Sequence, residues 1–319
     1  MAEKLHLTGI IAQDAAGQRL DRALARLFPA YSRARLQQWI KQGWVRVDGG
    51  VPRARDAVRG GERVVITAQK EAQACFEAQS IALNIIFEDQ HLLVIDKQPG
   101  MVVHPAAGNW QGTVLNALLH YAPQLETVPR AGIVHRLDKD TSGLMVITKT
   151  LEAHKQLVEQ LKTRTIEREY LAVVAGCLIA GGTIEGNIGR HSVDRKRMAI
   201  VDGGKPARTH YRVEKRFRAH SLLRVRLETG RTHQIRVHMA HIRHPVVGDP
   251  IYGGRLKLPA GASEALIEAL RRFKRQALHA ARLTLAHPFN TRRVRWQAPM
   301  PADMQELIDV LEADNKALE

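Results

Sequence analysis

The segment Gly132-Ile133-Val134-His135-Arg136-Leu137-Asp138-Lys139-Asp140-Thr141-Ser142-Gly143 sets a charged centre between two apolar runs. Ala131 to Val134 ends the first run, and Leu144-Met145-Val146-Ile147 has the continuous apolar character of a buried strand. The charged centre is thus pinned between flanks that seek the core. With Gly143 as a permissive turn position, a rigidly placed loop is expected rather than a floppy linker. Solvated turns are built from the same Asp, Thr, Ser and Gly, so the rest of the chain has to decide between the two.

The 319 residues suggest about two domains, enough for a sizeable core. Lys and Arg total 48 against 32 Asp and Glu, and the net charge of +16 points to nucleic acid or an anionic membrane surface as partner. No run approaches the roughly 18 apolar residues of a spanning helix. Met1-Ala2-Glu3-Lys4 opens no signal-peptide apolar region, so a soluble cytoplasmic protein without membrane contact is expected. Cys75 and Cys177 form no CxxC or Cys/His pattern, which fits a reducing compartment. There is no P-loop and no GxGxxG, so a nucleotide cofactor has no support.

From Gln18 to Phe28, Leu20, Ala23, Leu24 and Leu27 recur at helical spacing; Ser32 is a candidate N-cap for a second helix with Leu36, Trp39 and Ile40 on one face. Gly43 supplies a stop, Trp44-Val45-Arg46-Val47 alternates as a strand, and Asp48-Gly49-Gly50 reads as a hairpin turn. A further strand is expected near Arg63 to Ile66. Between Gly17 and Thr67 eleven Lys and Arg stand against four acids, a local excess of seven. Such clustering is the footprint of phosphate contacts, which supply affinity and little sequence choice; a solvated basic face is the alternative. The order of elements, with Ser32-Arg33-Ala34-Arg35 opening the second helix and Val45-Arg46-Val47-Asp48-Gly49 following, resembles the S4 RNA-binding domain. That resemblance implies RNA contacts from Arg33, Arg35, Lys41 and Arg46.

Ala68 to Ser80, rich in Ala, Gln and Glu, reads as a linker between an S4-type domain over 18–76 and a second domain over 77–319. In the second domain Ile85-Ile86-Phe87 and Leu92-Leu93-Val94-Ile95 predict a hairpin, and Met101-Val102-Val103 a further strand. Thr113 is expected to cap a helix over Val114 to Leu119, and Ala153, Leu157, Val158 and Leu161 mark another. A strand from Glu169 to Val174 carries Tyr170. Past Gly182 the pattern becomes irregular, with Arg190, His191, Arg195, Lys196 and Arg197 on a loop or loose hairpin that either closes over RNA or is simply solvated. Ser221 to Leu227 alternates as a strand, and Thr232 is the candidate cap of a helix carrying Ile235, Met239 and Ile242 on one face. Late strands fall at Leu283-Thr284-Leu285 and Val294-Arg295-Trp296, a last helix at Met304 to Leu311. Many strands with few intervening helices predict an α+β chain whose larger domain holds a mixed, mainly antiparallel sheet.

His233, His238, His241 and His244 crowd together, but without HExxH or a thiolate and among basic residues no metal site is expected. Ser142-Gly143 lacks GxSxG, which argues against a serine hydrolase. Asp138 and Asp140 read as a carboxylate pair for acid/base work, or as a structural pair with one member a nucleophile; flanking Arg136 and Lys139 favour the ionised form.

His135-Arg136-Leu137-Asp138 with Thr141-Ser142-Gly143 resembles the active-site motif of the RluA family of pseudouridine synthases. Arg168-Glu169-Tyr170, Gly230-Arg231-Thr232-His233-Gln234-Ile235-Arg236-Val237-His238-Met239, Gly248-Asp249-Pro250 and Leu278-His279-Ala280 fit the same family, and with the amino-terminal module they cover nearly the whole chain. Asp96-Lys97-Gln98-Pro99 departs from the family's usual Asn-Lys-Pro and puts the local turn in doubt.

The resemblance implies a cofactor-free isomerase that breaks the uridine N-glycosidic bond, turns the uracil and rejoins it through carbon. Asp138 would be the nucleophile, at ribose C1′ or at C6 of the base. Arg236 would pair with Asp138, and Tyr170 would pack on the base and serve in proton transfer. Arg136 would fill the vacated stack, and Arg190, Arg195, Lys196 and Arg197 would clamp the RNA backbone. His104-Pro105, Gly108-Asn109, Gly112 to His120 and Pro129 to His135 are similar to members of the family that act on the large ribosomal subunit. They imply 23S rRNA, or the large-subunit precursor, as partner, with target uridines in the helix 69 stem-loop and a monomeric enzyme. A sibling acting on another rRNA or tRNA site, or a non-catalytic ribosome-assembly factor, are the rival readings.

Overall fold

A computed structural model describes residues 4–29, 31, 33–69, 76–106, 108–194 and 197–317. The chain divides into two compact units, 1–75 and 76–319.

In the first unit, strand β1 (Lys4–Ile10) precedes helices α1 (Leu20–Leu27) and α2 (Arg33–Lys41), then β2 (Val45–Val47) and β3 (Arg63–Gln69). The strands form an antiparallel sheet in the order β1-β3-β2. Leu20, Leu24, Leu36, Trp39, Val45, Val64 and Ile66 are buried together, which is the helical and strand periodicity of the sequence turned inward. β1 was not expected, although Leu5 and Leu7 alternate there with His6 and Thr8. The Asp48-Gly49 turn forms, Val47 and Gly50 exchanging both backbone bonds, but it does not close a tight hairpin. β2 instead pairs with β3 across a long connection, whose Ala54 and Asp56 carbonyls accept the Asp21 and Leu20 amides at the start of α1. Gly43 ends α2 with a φ of +73°. The expected cap Ser32 lies outside the described residues.

The second unit is built on one ten-stranded sheet. In chain order its elements are β4 (Ile85–Glu88), β5 (Leu92–Lys97), α3 (Val114–Tyr121), β6 (Ser142–Thr148), α4 (Leu151–Lys162), β7 (Glu167–Ala175), β8 (Gly182–Arg190) and β9 (Met198–Ile200). β10 (Lys205–Arg216), β11 (His220–Leu227), α5 (Gln234–His241), α6 (Glu264–Arg272), β12 (Leu278–Ala286), β13 (Arg293–Gln297) and α7 (Ala302–Lys316) complete it. Strand order is β4-β5-β6-β12-β7-β11-β10-β8-β9, with β13 beside β12. Among the described residues only the strands β6 and β12 pair in parallel, through Ser142–His279 and Gly143–Ala280, so the sheet is mainly antiparallel.

Thr113 caps α3 in a reciprocal capping box with Asn116, as local sequence demands. Four expectations are corrected. Met101–Val103 is not a strand; Val102 makes a lone bridge with Thr113. Residues 182–190 form the regular strand β8, whose Ile184 and Ile188 are buried, and its partner β9 makes this a true hairpin. In α4, Ala153 and Leu157 face the core, whereas Val158 is exposed. α5 begins after His233, and Thr232 does not cap it; the Gln234 side chain accepts the Arg231 amide and the Thr229 hydroxyl instead. Among the described residues no helix is long and apolar enough to cross a membrane.

Candidate active site

The charged segment of 132–143 is a loop entering β6, framed by two glycines that no other residue could replace. Gly132 has φ +78°, and a Cβ there would stand 2.0 Å from the Thr148 carbonyl; Gly143 has φ +113°, and a Cβ would stand 2.4 Å from the Ala280 carbonyl. Between them the loop is fastened at His135 and at each residue from Lys139 to Ser142. His135 Nε2 accepts the Val146 amide at 3.0 Å, and Lys97 Nζ donates to the Lys139 carbonyl at 2.9 Å. Arg275 donates to the Asp140 carbonyl at 3.3 Å, Gln276 to the Thr141 hydroxyl at 3.0 Å, and Ser142 Oγ meets His279 Nδ1 at 3.0 Å. Thr141 and Ser142 are therefore fasteners, and the solvated-turn reading of the segment is set aside.

Lys97 is nearly inaccessible, with its ammonium on the carbonyls of Gln98, Met101 and Lys139, so the departure from Asn-Lys-Pro leaves this anchor intact. Burial brings its pKa down to about 8, against the opposing pull of Asp140 and Asp138. Burial likewise takes His135 down to about 3, with Arg168 adding to it, so the imidazole is a neutral acceptor.

Asp138 is the loop's exception, its carboxylate turned to other elements. Oδ2 accepts from Arg236 Nη1 at 3.0 Å, and Oδ1 lies 3.9 Å from His233 Nε2. Arg236, on α5, is itself gripped from behind: Nε and Nη2 donate to the two oxygens of Asp249 at 2.6 and 2.8 Å. Asp249 also accepts the amides of Ile251 and Tyr252, so its charge is met on every side. Burial works against the charge on Arg236, but Asp249 and Asp138 more than offset it and its pKa is raised. Burial pushes Asp249 up, and Arg236 with the two amides outweighs this, leaving its pKa lowered. Both stay ionised. The guanidinium also lies over the Tyr252 ring, 5.0 Å from its centre.

Tyr170 is buried on β7 opposite Val225. Burial raises its pKa; Arg168 opposes this and the charge of Asp138 adds to it, so Asp138 and Tyr170 share one electrostatic neighbourhood. Arg136 is exposed on the loop. Arg190 ends β8, and Arg197, just before β9 at the same end of that hairpin, lies 5.6 Å from the centre of the Tyr252 ring. Arg195 and Lys196 lie outside the described residues. In the first unit Arg33 pairs at 2.8 Å with the buried Asp21, Arg35 lies over Trp39 at 5.5 Å, and Lys41 and Arg46 are exposed. Arg33 is thus partly engaged in holding its own helix pair together.

Asp249, Tyr252 and Lys97 carried no assigned role in the sequence, and His233 was weighed only among the crowded histidines. Asp249 stood inside a recognised motif, which was the available signal. The crowded histidines disperse: His238 bonds Thr209, His244 donates to the Ala175 carbonyl, and His241 is exposed. Among the described residues no three His, Cys, Asp or Glu are placed to hold a metal ion.

Residues 91–241 match the RNA pseudouridylate synthase family, and residues 18–64 match the S4 domain. The chain is 55% identical to the ribosomal large subunit pseudouridine synthase D of Pseudomonas aeruginosa, over 99% of both chains. It is 56% identical to the protein of that name from Escherichia coli K12, over 98% of this chain and 97% of that one. In fold it is similar to human RNA pseudouridylate synthase domain containing 4 (TM-score 0.57, 23% identity, 72% of this chain and 93% of that one). Human RNA pseudouridylate synthase domain containing 1 gives a TM-score of 0.55 at 24% identity, over 74% and 97%. With its charged loop, its S4 segment and full-length relatives at this identity, the chain belongs to the RNA pseudouridylate synthase family.

Proposed function

We propose that this protein converts specific uridines to pseudouridine in large-subunit ribosomal RNA, with Asp138 as nucleophile. The observation that carries this reading is the Asp138 carboxylate held through one oxygen by Arg236, on a chain 55% identical along nearly its whole length to a large-subunit pseudouridine synthase. The reaction breaks the N1–C1′ bond and joins C5 of the same uracil to C1′; C5 loses a proton and N1 gains one. Substrate and product hold the same atoms, so no cofactor is required.

Asp138 attacks C1′ or C6 in its ionised form, with Arg236 holding Oδ2 and Oδ1 left to react. Tyr170 packs on the base, and its buried hydroxyl, protonated at neutral pH, can supply a proton. The target must leave its stack to reach Asp138, and exposed Arg136 takes the vacated place. Arg190, Arg195, Lys196 and Arg197 clamp the RNA backbone. An RNA-binding domain over 18–76 adds contacts through Arg33, Arg35, Lys41 and Arg46, leaving 77–319 as the catalytic domain. The target uridines lie in the helix 69 stem-loop of 23S rRNA, and the enzyme works as a cytoplasmic monomer.

The test is to incubate purified protein with large-subunit rRNA and map pseudouridine chemically. Wild-type protein should modify helix 69, and Asp138→Asn should lower the rate on the order of 10⁴-fold, as for loss of a nucleophile. Undiminished product from that variant rules the nucleophile assignment out.

A further inference from the structure

His233, the residue before α5, lies in the left-handed region, with φ +56° and ψ 22°. A non-glycine residue is held there only where its surroundings over-determine it, and such positions gather at functional sites. Its ring meets Tyr252, buried at 8% exposure. The Tyr252 oxygen accepts the Met198 amide at 2.9 Å and lies 2.8 Å from His233 Nδ1. With the Met198 amide donating to its oxygen, the hydroxyl still has its own proton to donate, and His233 Nδ1 is the acceptor it meets among the described residues. A neutral imidazole that accepts at Nδ1 carries its proton at Nε2. That Nε2 is the atom facing Asp138 Oδ1 at 3.9 Å. Burial disfavours the charged ring. Asp138 and Asp249 oppose this, Arg236 and Arg136 reinforce it, and the ring's pKa is lowered.

We propose that Tyr252 is a positioning residue: its hydroxyl fixes His233 as the Nε2–H tautomer, so that Asp138 has an N–H facing Oδ1 while Arg236 holds Oδ2. The inference rests on the reading of Asp138 as nucleophile. At 3.9 Å the His233 contact is too long for a hydrogen bond, and a closure of about 1 Å when substrate binds makes it one. Met198 opens β9, directly after Arg197, whose guanidinium lies over the same Tyr252 ring. The hairpin assigned to the RNA backbone and the nucleophile are therefore joined through one hydroxyl. An RNA that seats the hairpin also seats the donor that aims the carboxylate.

Two measurements test this. Nitrogen-15 NMR of the substrate-free protein should find the His233 proton on Nε2, and Tyr252→Phe should give a mixture of tautomers. A proton on Nδ1 in the wild type overturns the proposal. Tyr252→Phe keeps the ring under both guanidinium groups, and at saturating RNA it should slow single-turnover pseudouridine formation about tenfold while RNA affinity stays within about twofold. His233→Ala should cost a similar factor, and the double variant about tenfold rather than a hundredfold, because both act along one path. An unchanged rate in Tyr252→Phe, or multiplicative losses, overturns it. If wild-type protein forms no pseudouridine, the functional reading fails by itself; the proton on His233 is read without substrate and decides the positioning claim separately.

Discussion

Arg236 and Arg46 are the same residue type put to opposite uses. Arg236 has a side chain 4% exposed, with one carboxylate on its reacting side and a second behind it. Arg46 stands on β2 open to solvent, in a unit where basic residues outnumber acids. Burying a guanidinium is tolerated only when charge and hydrogen bonds are met in full, and Asp249 with the fork geometry of arginine does this. The exposed arginine needs no partner in the protein and keeps its charge available for phosphate. The difference teaches which substitutions act on chemistry and which on affinity.

The largest effect should follow Asp249→Ala, which strands the buried Arg236. Loss of one member of a buried pair costs about 3–5 kcal/mol, so thermal or denaturant unfolding should show a marked drop together with near-complete loss of activity. A variant of normal stability would erase the contrast between the two arginines. Lys97 sharpens the same contrast for lysine. Its pKa in the folded protein, about 8, is below the ordinary 10.5, so the unfolded chain binds more protons between these values. Stability should then rise as pH goes from about 8 to 10.5, by on the order of 3 kcal/mol relative to Lys97→Met. Parallel pH–stability curves for the two proteins would contradict this.

Arg236→Lys keeps the charge but cannot span Asp249 and Asp138 together; a loss of about 10²-fold in kcat with little change in RNA affinity is expected. The smallest effects belong to the first unit. Lys41→Gln and Arg46→Gln should each reduce the salt slope of RNA binding by about 0.7–0.9 and leave the rate at saturating RNA unchanged. A fall in that saturated rate would show that the basic unit does more than bind.

Legibility in the sequence followed range. α3 with its Thr113 cap, the β4–β5 hairpin, β6, β11 and α7 all declared themselves because their signals lie within a few residues. β8 did not, since Gly182, Gly186 and Gly189 interrupt the alternation and only Ile184 and Ile188 are left to mark the buried face. The start of α5 misled for a related reason. Thr232 has the chemistry of a cap, yet the left-handed His233 stands before α5 with its ring on Tyr252, nineteen positions on, and no local rule foresees that contact.

The sequence by itself determined the family, the two-part organisation and the loop that carries Asp138, because motifs, charge and periodicity are written in consecutive residues. Only the tertiary structure decided how that carboxylate is held. Asp138 and Arg236 are 98 positions apart, and Asp249 and Lys97 enter from other elements. Buried charges are tolerated by the partners that packing brings to them, and partners of this kind are a property of the folded chain.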